Sequence, residues 1–224
     1  MIRLHVICEG QTEQAFVNSI LLPFLTTKSI SMTSSKIGKP GHKGGRVNFD
    51  RLLSDLRSLL LSDTSRYCTT LIDYYGLPSD FPGLERSRAM NAISEKANCV
   101  KHGLSSQLET HIGQSAIRRF IPYVQMHEFE GLLFCDATSI ASAIDRPILI
   151  RTLNRIRSDF ETPEHINDSP QTAPSKRIES LFPGYEKVIH GSNAAKKIGL
   201  DNIREECRLF DAWVSELIAL CPTS

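Results

Sequence analysis

The sequence predicts an α/β fold in which helices flank a mostly parallel central sheet, with a helical C-terminal extension. Three observations favour this fold. Apolar strand-like runs alternate with segments of helical spacing through the first part of the chain. The runs stop at turns rich in glycine, proline or acidic residues. Beyond the last of these runs the spacing is mainly helical. Such alternation is typical of parallel strands joined by helices.

The first strand, the helix after it and a second strand are predicted from the opening third of the chain. Residues 3–8 form an apolar run rich in Val, Ile and Leu that stops at Glu9. Thr12 is expected to cap the helix that follows. Residues 29–46 predict a weak strand and then a glycine-rich loop that closes over a ligand.

The next elements continue the alternation. Leucines at helical intervals in residues 49–60 predict a helix, and the buried run 67–72 predicts a strand that ends at Asp73. A polar helix is expected from about residue 85 to 101, and another strand from 119 to 125.

The second part of the chain has fewer strand signals. Beyond Asp136 the spacing becomes helical, and residues 201–220 carry apolar side chains at helical intervals. We therefore predict an α/β core of residues 1–136 and a mainly helical extension of residues 137–224, packed together as a single compact body.

The overall charge gives little information about partners. The 224 residues include 26 Lys and Arg against 25 Asp and Glu, so no net basic field draws the molecule onto nucleic acid. Contact with DNA or RNA therefore requires a local patch. The sequence also lacks the glycine-rich phosphate-binding motif of ATPases and the serine elbow of hydrolases, so any ATP hydrolysis would require a partner.

Cysteine spacing and hydropathy predict a cytoplasmic location. The six cysteines are scattered, with no pair at zinc-ligand spacing. The first residues lack the features of a secretion signal, and no apolar run approaches the length of a membrane span. We expect a reduced, cytoplasmic protein without structural zinc that does not bind membranes.

Three acidic residues follow predicted strands directly. Glu9, Asp73 and Glu128 each come after an apolar run, and side chains at the carboxyl ends of parallel strands converge on one edge of a sheet. Carboxylates are the ligands that Mg²⁺ or Mn²⁺ prefers, so these three residues predict a divalent-metal site. The alternative is that each residue only caps a turn or favours the start of a helix.

Four sequence segments carry a resemblance to a known family. They are CEGQTEQ at residues 8–14, LIDYYGLP at 71–78, HEFEGLLF at 127–134 and PSKR at 174–177. With them the chain resembles a bacterial family of uncharacterised Toprim-like proteins, and the resemblance covers almost the whole chain. Related Toprim nucleases of the overcoming-lysogenization-defect type often occur beside ATPases in antiphage defence.

The resemblance implies roles for particular residues. Toprim domains carry a glutamate after the first strand and an Asp-x-Asp pair after a later strand. Glu9 matches that glutamate and Asp73 the first aspartate, whereas Tyr75 stands where the second aspartate is expected. The residues that would complete the site are Glu128, Glu130 or Asp80, of which we predict Glu128.

Several cations are candidates for contact with a phosphate. Lys176 is predicted to steady the scissile phosphate, with Arg177 and Lys187 as further substrate contacts. Lys43 and Arg46 in the glycine-rich loop are predicted to contact substrate as well. The alternative is that these cations are only solvated at the surface.

The resulting functional prediction is a nuclease. It would hydrolyse phosphodiester bonds of DNA or RNA with Mg²⁺ or Mn²⁺, beside an ATPase of the ABC type or another type, in antiphage defence. The alternative is a non-catalytic Toprim-like subunit that binds or serves as a scaffold within such a complex.

Overall fold

A central β-sheet organises the N-terminal part of the protein. The computed structural model describes residues 1–38, 44, 47–167 and 172–221. The fold is α/β, with a mostly parallel sheet flanked by helices and a helical C-terminal region, as the sequence predicted. The described residues divide into two compact units, Met1–Val124 with Trp213–Ser224, and Gln125–Ala212. The sequence had placed the boundary after residue 136.

The sheet of the first unit has five strands. They are β1 (Ile2–Cys8), β2 (Ile30–Lys36), β3 (Arg66–Asp73), β4 (Phe120–Ile121) and β5 (Val124–Gln125). The order is β2-β1-β3-β4, and β5 also pairs with β3. The pairs β1–β2, β1–β3 and β3–β4 are parallel. The carboxyl ends of β2, β1 and β3 therefore lie side by side. The single strand predicted for residues 119–125 is in fact two short strands.

One long helical segment connects β1 to β2. It consists of α1 (Gln11–Phe16), a π-helical turn (Val17–Leu21) and α2 (Leu22–Thr27). The residue at the N-cap is Gly10 rather than the predicted Thr12, which lies buried inside the helix. The side chain of Glu13 satisfies the backbone amide of Gly10, which has no partner within the helix, because Glu13 Oε2 accepts a hydrogen bond of 2.8 Å from the Gly10 N–H.

Helices α3 (Phe49–Ser62) and α5 (Ile93–Ile112) pack buried apolar side chains into one core cluster of the first unit. Asn48 caps α3, since its Oδ1 accepts from the Arg51 N–H at 2.8 Å. The predicted polar helix starting near residue 85 is divided into a short α4 (Leu84–Arg88) and the longer α5, and α6 (Gln114–Ile117) follows. Burial of the apolar stripes of α3 and α5 against the sheet stabilises this unit.

The second unit is mainly helical. Its helices are α7 (Ala137–Ala143), α8 (Ile150–Ser158), α9 (Pro174–Leu181), α10 (Ser192–Ile198) and α11 (Leu200–Glu206). A 3-10 helical segment, Phe129–Cys135, precedes them. The buried Glu164 carboxylate accepts hydrogen bonds from the N–H groups of Leu209 and Phe210, at 2.9 and 3.0 Å. It thereby satisfies two orphan amides at the start of the last helix.

The last helix, α12 (Arg208–Ile218), begins in the second unit and ends in the first. The sequence predicted one helix over residues 201–220, whereas the structure has two, separated at Cys207. Within the first unit, Trp213 Nε1 donates to Thr69 Oγ1 at 2.8 Å, and its indole stacks on the Tyr123 ring. Among the described helices, none is long and apolar enough to cross a membrane.

Candidate functional site

Glu9 and Asp73 lie together at the carboxyl edge of the sheet. Glu9 directly follows β1, and Asp73 is the last residue of the adjacent parallel strand β3. The Asp73 N–H donates a hydrogen bond of 3.0 Å to Glu9 Oε2, and both residues are half-buried. The structure therefore brings these two predicted acidic residues to one place.

The turn after β3 surrounds the Glu9 carboxylate. A Cβ added to Gly76 would lie only 3.1 Å from Glu9 Oε1, so the backbone of this turn approaches the carboxylate closely. The Tyr74 hydroxyl, 2.8 Å from Ser87 Oγ, fixes the turn to α4. Tyr75, at the position of the second aspartate in the Toprim pattern, is 37% exposed. The sequence did not identify Gly76, although a glycine three residues after a strand-end aspartate is a signal for close approach.

Glu13 supports the turn on the other side of Glu9. Its side chain is buried, and its bond to the Gly10 N–H holds the start of α1. Burial raises the pKa of the neighbouring Cys8 thiol, and the charge of Glu13 adds to that effect. Glu13 is thus placed to position the turn that carries Glu9.

A lysine, Lys36, lies at the carboxyl end of β2, the strand that pairs with β1 on the side away from β3. Lys36 is the last residue of β2 and lies opposite Cys8 in the parallel register, one residue before Glu9. A Cβ added to Gly44, in the glycine-rich loop, would lie 3.5 Å from Lys36 Cδ and 3.6 Å from the Glu9 carbonyl oxygen. The sequence did not predict Lys36 as a site residue, because only the sheet order reveals that β2 is next to β1.

Helix α3 makes hydrogen bonds to three described residues of the glycine-rich segment and its start, namely Ile37, Gly38 and Gly44. The Arg51 guanidinium donates to the carbonyl oxygens of Ile37 and Gly44, at 3.2 and 3.0 Å. The Gly38 N–H donates to Asp55 Oδ2 at 2.7 Å. The predicted substrate contacts Lys43 and Arg46 lie outside the described residues.

Glu128 belongs to the second unit, where it contacts the beginning of α9. The Ser175 N–H donates to Glu128 Oε2 at 3.0 Å. The preceding residue, His127, has a positive φ of 43°, which is an uncommon conformation for a residue with a side chain. Its Nδ1 lies 3.1 Å from Asn167 Nδ2, so His127 makes a local hydrogen bond. The amino end of α9 and this bend together set the direction of the Glu128 side chain.

Glu130 and Lys187 form a partly buried ion pair in the same unit. Glu130 is 1% exposed, and its Oε2 lies 3.2 Å from Lys187 Nζ. Its Oε1 is buried and has no hydrogen-bond partner among the residues that the structure describes. Burial raises the pKa of Glu130 to about 7, Lys187 opposes that shift, and the charge of Glu128 adds to it. Lys187, predicted as a substrate contact, is therefore placed against an acidic side chain.

Lys176 and Arg177 make local contacts on α9. Lys176 Nζ lies 2.6 Å from Glu179 Oε2 in a largely exposed ion pair. The Arg177 Nε donates to the Thr172 carbonyl oxygen at 2.6 Å, and its guanidinium lies over the Phe160 ring. Contact of either cation with a phosphate stays a prediction.

The residues at the sheet edge fit a hard divalent cation in part. Within residues 1–38, 44, 47–167 and 172–221, no three His, Cys, Asp or Glu side chains are grouped so that they could hold a metal ion. Glu9 and Asp73 supply two carboxylates, and Mg²⁺ is often held by one or two carboxylates with waters and substrate phosphates. The third protein ligand, predicted as Glu128, stays a prediction.

Comparison with known proteins places the chain in a family. A family model described as a domain of unknown function (DUF4276) matches residues 8–218. No curated protein and no solved structure was found that matches the chain.

Proposed function

This chain belongs to the DUF4276 family of domains of unknown function, and we propose that it is a metal-dependent nuclease. The proposed reaction is hydrolysis of phosphodiester bonds in DNA or RNA, with Mg²⁺ or Mn²⁺ bound by Glu9 and Asp73. The observation that carries the proposal is the hydrogen bond from the Asp73 N–H to Glu9 Oε2, which fixes two acidic residues from neighbouring strands at one edge.

The position of the site supports an enzymatic role. Ligands of open α/β sheets bind outside the carboxyl ends of the strands. Here that edge carries two half-buried acidic residues and lies next to Gly44 of the glycine-rich segment. Turns with backbone amides and nearby cations suit an anionic substrate such as a phosphate.

Each residue would have a separate task in the reaction. A bound Mg²⁺ or Mn²⁺ supplies polarisation of the phosphate and a more acidic water. Glu9 and Asp73 would hold the ion, and the backbone contacts around Glu9 keep its carboxylate oriented before substrate binds. A fixed ligand needs no reorganisation during the reaction, which lowers the barrier.

Glu128 and Lys176 complete the proposed machinery as predictions from the sequence. Glu128 would add a third carboxylate to the metal. Lys176 would exchange its exposed ion pair with Glu179 for a substrate phosphate, and exposed pairs of this kind contribute little to stability.

The proposed cellular setting rests on the resemblance to Toprim-like proteins. We propose a cytoplasmic protein that works beside an ATPase of the ABC type or another type in antiphage defence. The ATPase would sense the signal and this chain would cut nucleic acid. Co-purification of the chain with the product of a neighbouring ATPase gene would support that arrangement.

A second candidate function is a non-catalytic binding or scaffold subunit. The observation that favours it is Tyr75, which occupies the position of the second aspartate and leaves one carboxylate fewer at the turn. Under this alternative the chain would bind its partner or nucleic acid without cleaving it.

A nuclease assay separates the two functions. We expect the purified chain, alone or with its ATPase partner, to cleave DNA or RNA with Mg²⁺ or Mn²⁺ and to lose activity with a chelator. The variants Glu9→Gln and Asp73→Asn should each lose at least about 100-fold, since even residues that only orient metal ligands contribute about 10- to 100-fold.

Matched controls make the assay specific. Glu85→Gln and Asp50→Asn replace exposed carboxylates in the first turns of α4 and α3 and should retain wild-type activity. Glu128→Gln and Lys176→Gln test the remaining roles in the same assay. Absence of cleavage by the wild type under all these conditions, with intact binding of nucleic acid, would favour the scaffold function.

A further inference from the structure

Lys36 ends β2, on the side of β1 away from β3, and is level with Cys8 and Leu71, two residues before Asp73. The three neighbouring strands β2, β1 and β3 end at Lys36, Cys8 and Asp73, with Glu9 directly after the middle strand. Adjacent strands lie about 4.8 Å apart and each residue rises about 3.3 Å, so the edge presents a cationic residue and two acidic residues within about 12 Å, measured along the backbone positions. The end of β1 therefore has a cationic residue on one side and an acidic residue on the other.

The stem of Lys36 is packed against the same residues that border Glu9. The Gly44 backbone lies against the Lys36 stem and the Glu9 carbonyl oxygen, as the distances from a Cβ at position 44 show. Gly44 is held in turn by its N–H bond of 2.7 Å to the Ile37 carbonyl oxygen and by Arg51. The side chain therefore starts from a fixed, half-buried position at the edge.

Three lysines of the protein have their charge paired with a carboxylate. Lys101, Lys176 and Lys187 each form an ion pair with a glutamate. In the part of the chain that the structure describes, no hydrogen bond or ion pair is found for the ammonium groups of Lys36, Lys96, Lys196 and Lys197, and of these four Lys36 is the one at the carboxyl edge of the sheet. A half-buried cation next to the acidic edge is thus available for an anion.

We propose that Lys36 binds a backbone phosphate of the nucleic-acid substrate and positions it against Glu9 and Asp73. This inference rests on the proposed nuclease function and adds the residue that would fix the phosphate. A lysine acts here as a point charge, so the contact would not depend on base sequence.

Binding without cleavage tests the role of Lys36 directly. Fluorescence anisotropy with a labelled DNA or RNA oligonucleotide is measured with Ca²⁺ in place of Mg²⁺, for wild type, Lys36→Gln, Lys36→Arg and Lys28→Gln. Lys28 is a matched control because it lies just before the opposite end of β2. We expect Lys36→Gln to weaken binding about tenfold and to lower the slope of log K against log salt by about one.

The other variants and measurements make the result specific. Lys36→Arg should retain most of the affinity, Lys28→Gln should behave as wild type, and Mn²⁺ binding to Lys36→Gln should be unchanged. If the wild type cleaves nucleic acid, and Lys36→Gln binds and cleaves it equally well, the inference is wrong and the nuclease function stands. If the wild type neither binds nor cleaves nucleic acid, the proposed function is wrong, and the role of Lys36 with it.

A second inference rests on two thiols in the second unit. The Sγ atoms of Cys135 and Cys207 lie 3.5 Å apart, with Cys207 fully buried and Cys135 partly exposed. We infer that a peroxide converts this pair into a disulfide. Cys135 first takes an oxygen atom from hydrogen peroxide to form a sulfenic acid and releases one water. The Cys207 sulfur then attacks it, so that the S–S bond forms and a second water leaves.

Thiol counting after peroxide treatment tests the pair. The protein has six free cysteines, and we expect four titratable thiols in the denatured protein after oxidation. Mass spectrometry should find peptides with Cys135 and Cys207 cross-linked, and dithiothreitol should reverse the change. Cys135→Ser should prevent the loss of thiols, whereas Cys99→Ser should not. An unchanged thiol count in the wild type, or a cross-link to another cysteine, would overturn the inference.

Discussion

At the residue scale, the Glu9 carboxylate is the most constrained group of the candidate site. One oxygen receives the Asp73 N–H, and the other faces the Gly76 backbone. Backbone contacts of this kind orient a carboxylate without neutralising its charge. The site therefore depends on turn geometry as well as on the two acidic side chains.

Gly76→Ala tests that dependence. The new Cβ would lie 3.1 Å from Glu9 Oε1, so the carboxylate must move by a few tenths of an ångström. We expect Mn²⁺ affinity to fall about tenfold, as for other residues that orient a ligand, with little change in the melting temperature. Calorimetric titration with Mn²⁺ and a thermal melt of the same sample measure both. Unchanged Mn²⁺ affinity would show that the contact with Gly76 does not orient the Glu9 carboxylate.

Asp136 gives a pH-dependent prediction at the N-cap of α7. Burial opposes its ionisation, but hydrogen bonds from Ser139 and Thr138 outweigh burial and lower its pKa. A carboxyl group with a lowered pKa in the folded state stabilises the fold above its unfolded pKa, and that stabilisation is lost as pH falls. Asp136→Ala should cost about 1 kcal/mol at pH 7.

The difference between wild type and Asp136→Ala should shrink as the pH falls below about 4, the ordinary pKa of an aspartate in the unfolded chain, because the unfolded state then binds a proton more readily than the folded state does. Urea unfolding at pH 7 and pH 3 measures the free energy of unfolding of both proteins. Asp159→Ala, which replaces an exposed aspartate at the end of α8 rather than at an N-cap, is measured as the control. A difference that is equal at both pH values would contradict the assigned role.

At the element scale, the contact between α5 and the loop before α4 is set by two glycines. Gly83 has a positive φ of 79°, and a Cβ at Gly103 would lie 2.6 Å from the Gly83 nitrogen. The backbone of the loop thus lies directly on the helix surface. This close approach connects the turn after β3 to α5 and supports the turn that carries Asp73.

Gly103→Ala tests this contact against helix propensity. At an exposed position inside a helix, alanine stabilises the helix by about 1 kcal/mol relative to glycine. Because the clash is with backbone atoms, we expect destabilisation by about 1–3 kcal/mol instead. Ser106→Ala, at an exposed position one turn later in α5, should be neutral or slightly stabilising. Denaturant unfolding of the wild type and the two variants gives the sign of each change in the free energy of unfolding. A Gly103→Ala variant more stable than the wild type would contradict the packing described.

At the scale of the whole molecule, the sequence predicted the parts of the fold that periodicity determines. Strands β1 and β3 and helix α3 follow from apolar patterns that burial alone enforces, and the prediction of an α/β fold with a parallel sheet is confirmed. The two acidic residues at the strand ends followed from the same patterns. Their mutual contact is a consequence of β1 and β3 being neighbours.

The features that the sequence did not predict depend on contacts between distant residues. The sheet order β2-β1-β3-β4 places Lys36 beside Glu9, and no local pattern encodes that neighbourhood. The contact of Cys135 with Cys207 spans 72 residues and was likewise missed. The division of the last helix at Cys207 reflects tertiary hydrogen bonding by Glu164, which helical spacing does not reveal.

Direct metal binding tests the central claim that Glu9 and Asp73 form a divalent-metal site. Titration of the protein with Mn²⁺, followed by electron paramagnetic resonance, counts free and bound ion. We predict saturable binding to the wild type that is at least about tenfold weaker in Glu9→Gln and Asp73→Asn, because each variant removes a charged ligand. Glu85→Gln and Asp50→Asn should bind as the wild type does. Equal Mn²⁺ affinity in all five proteins, or no saturable binding to the wild type, would contradict the site.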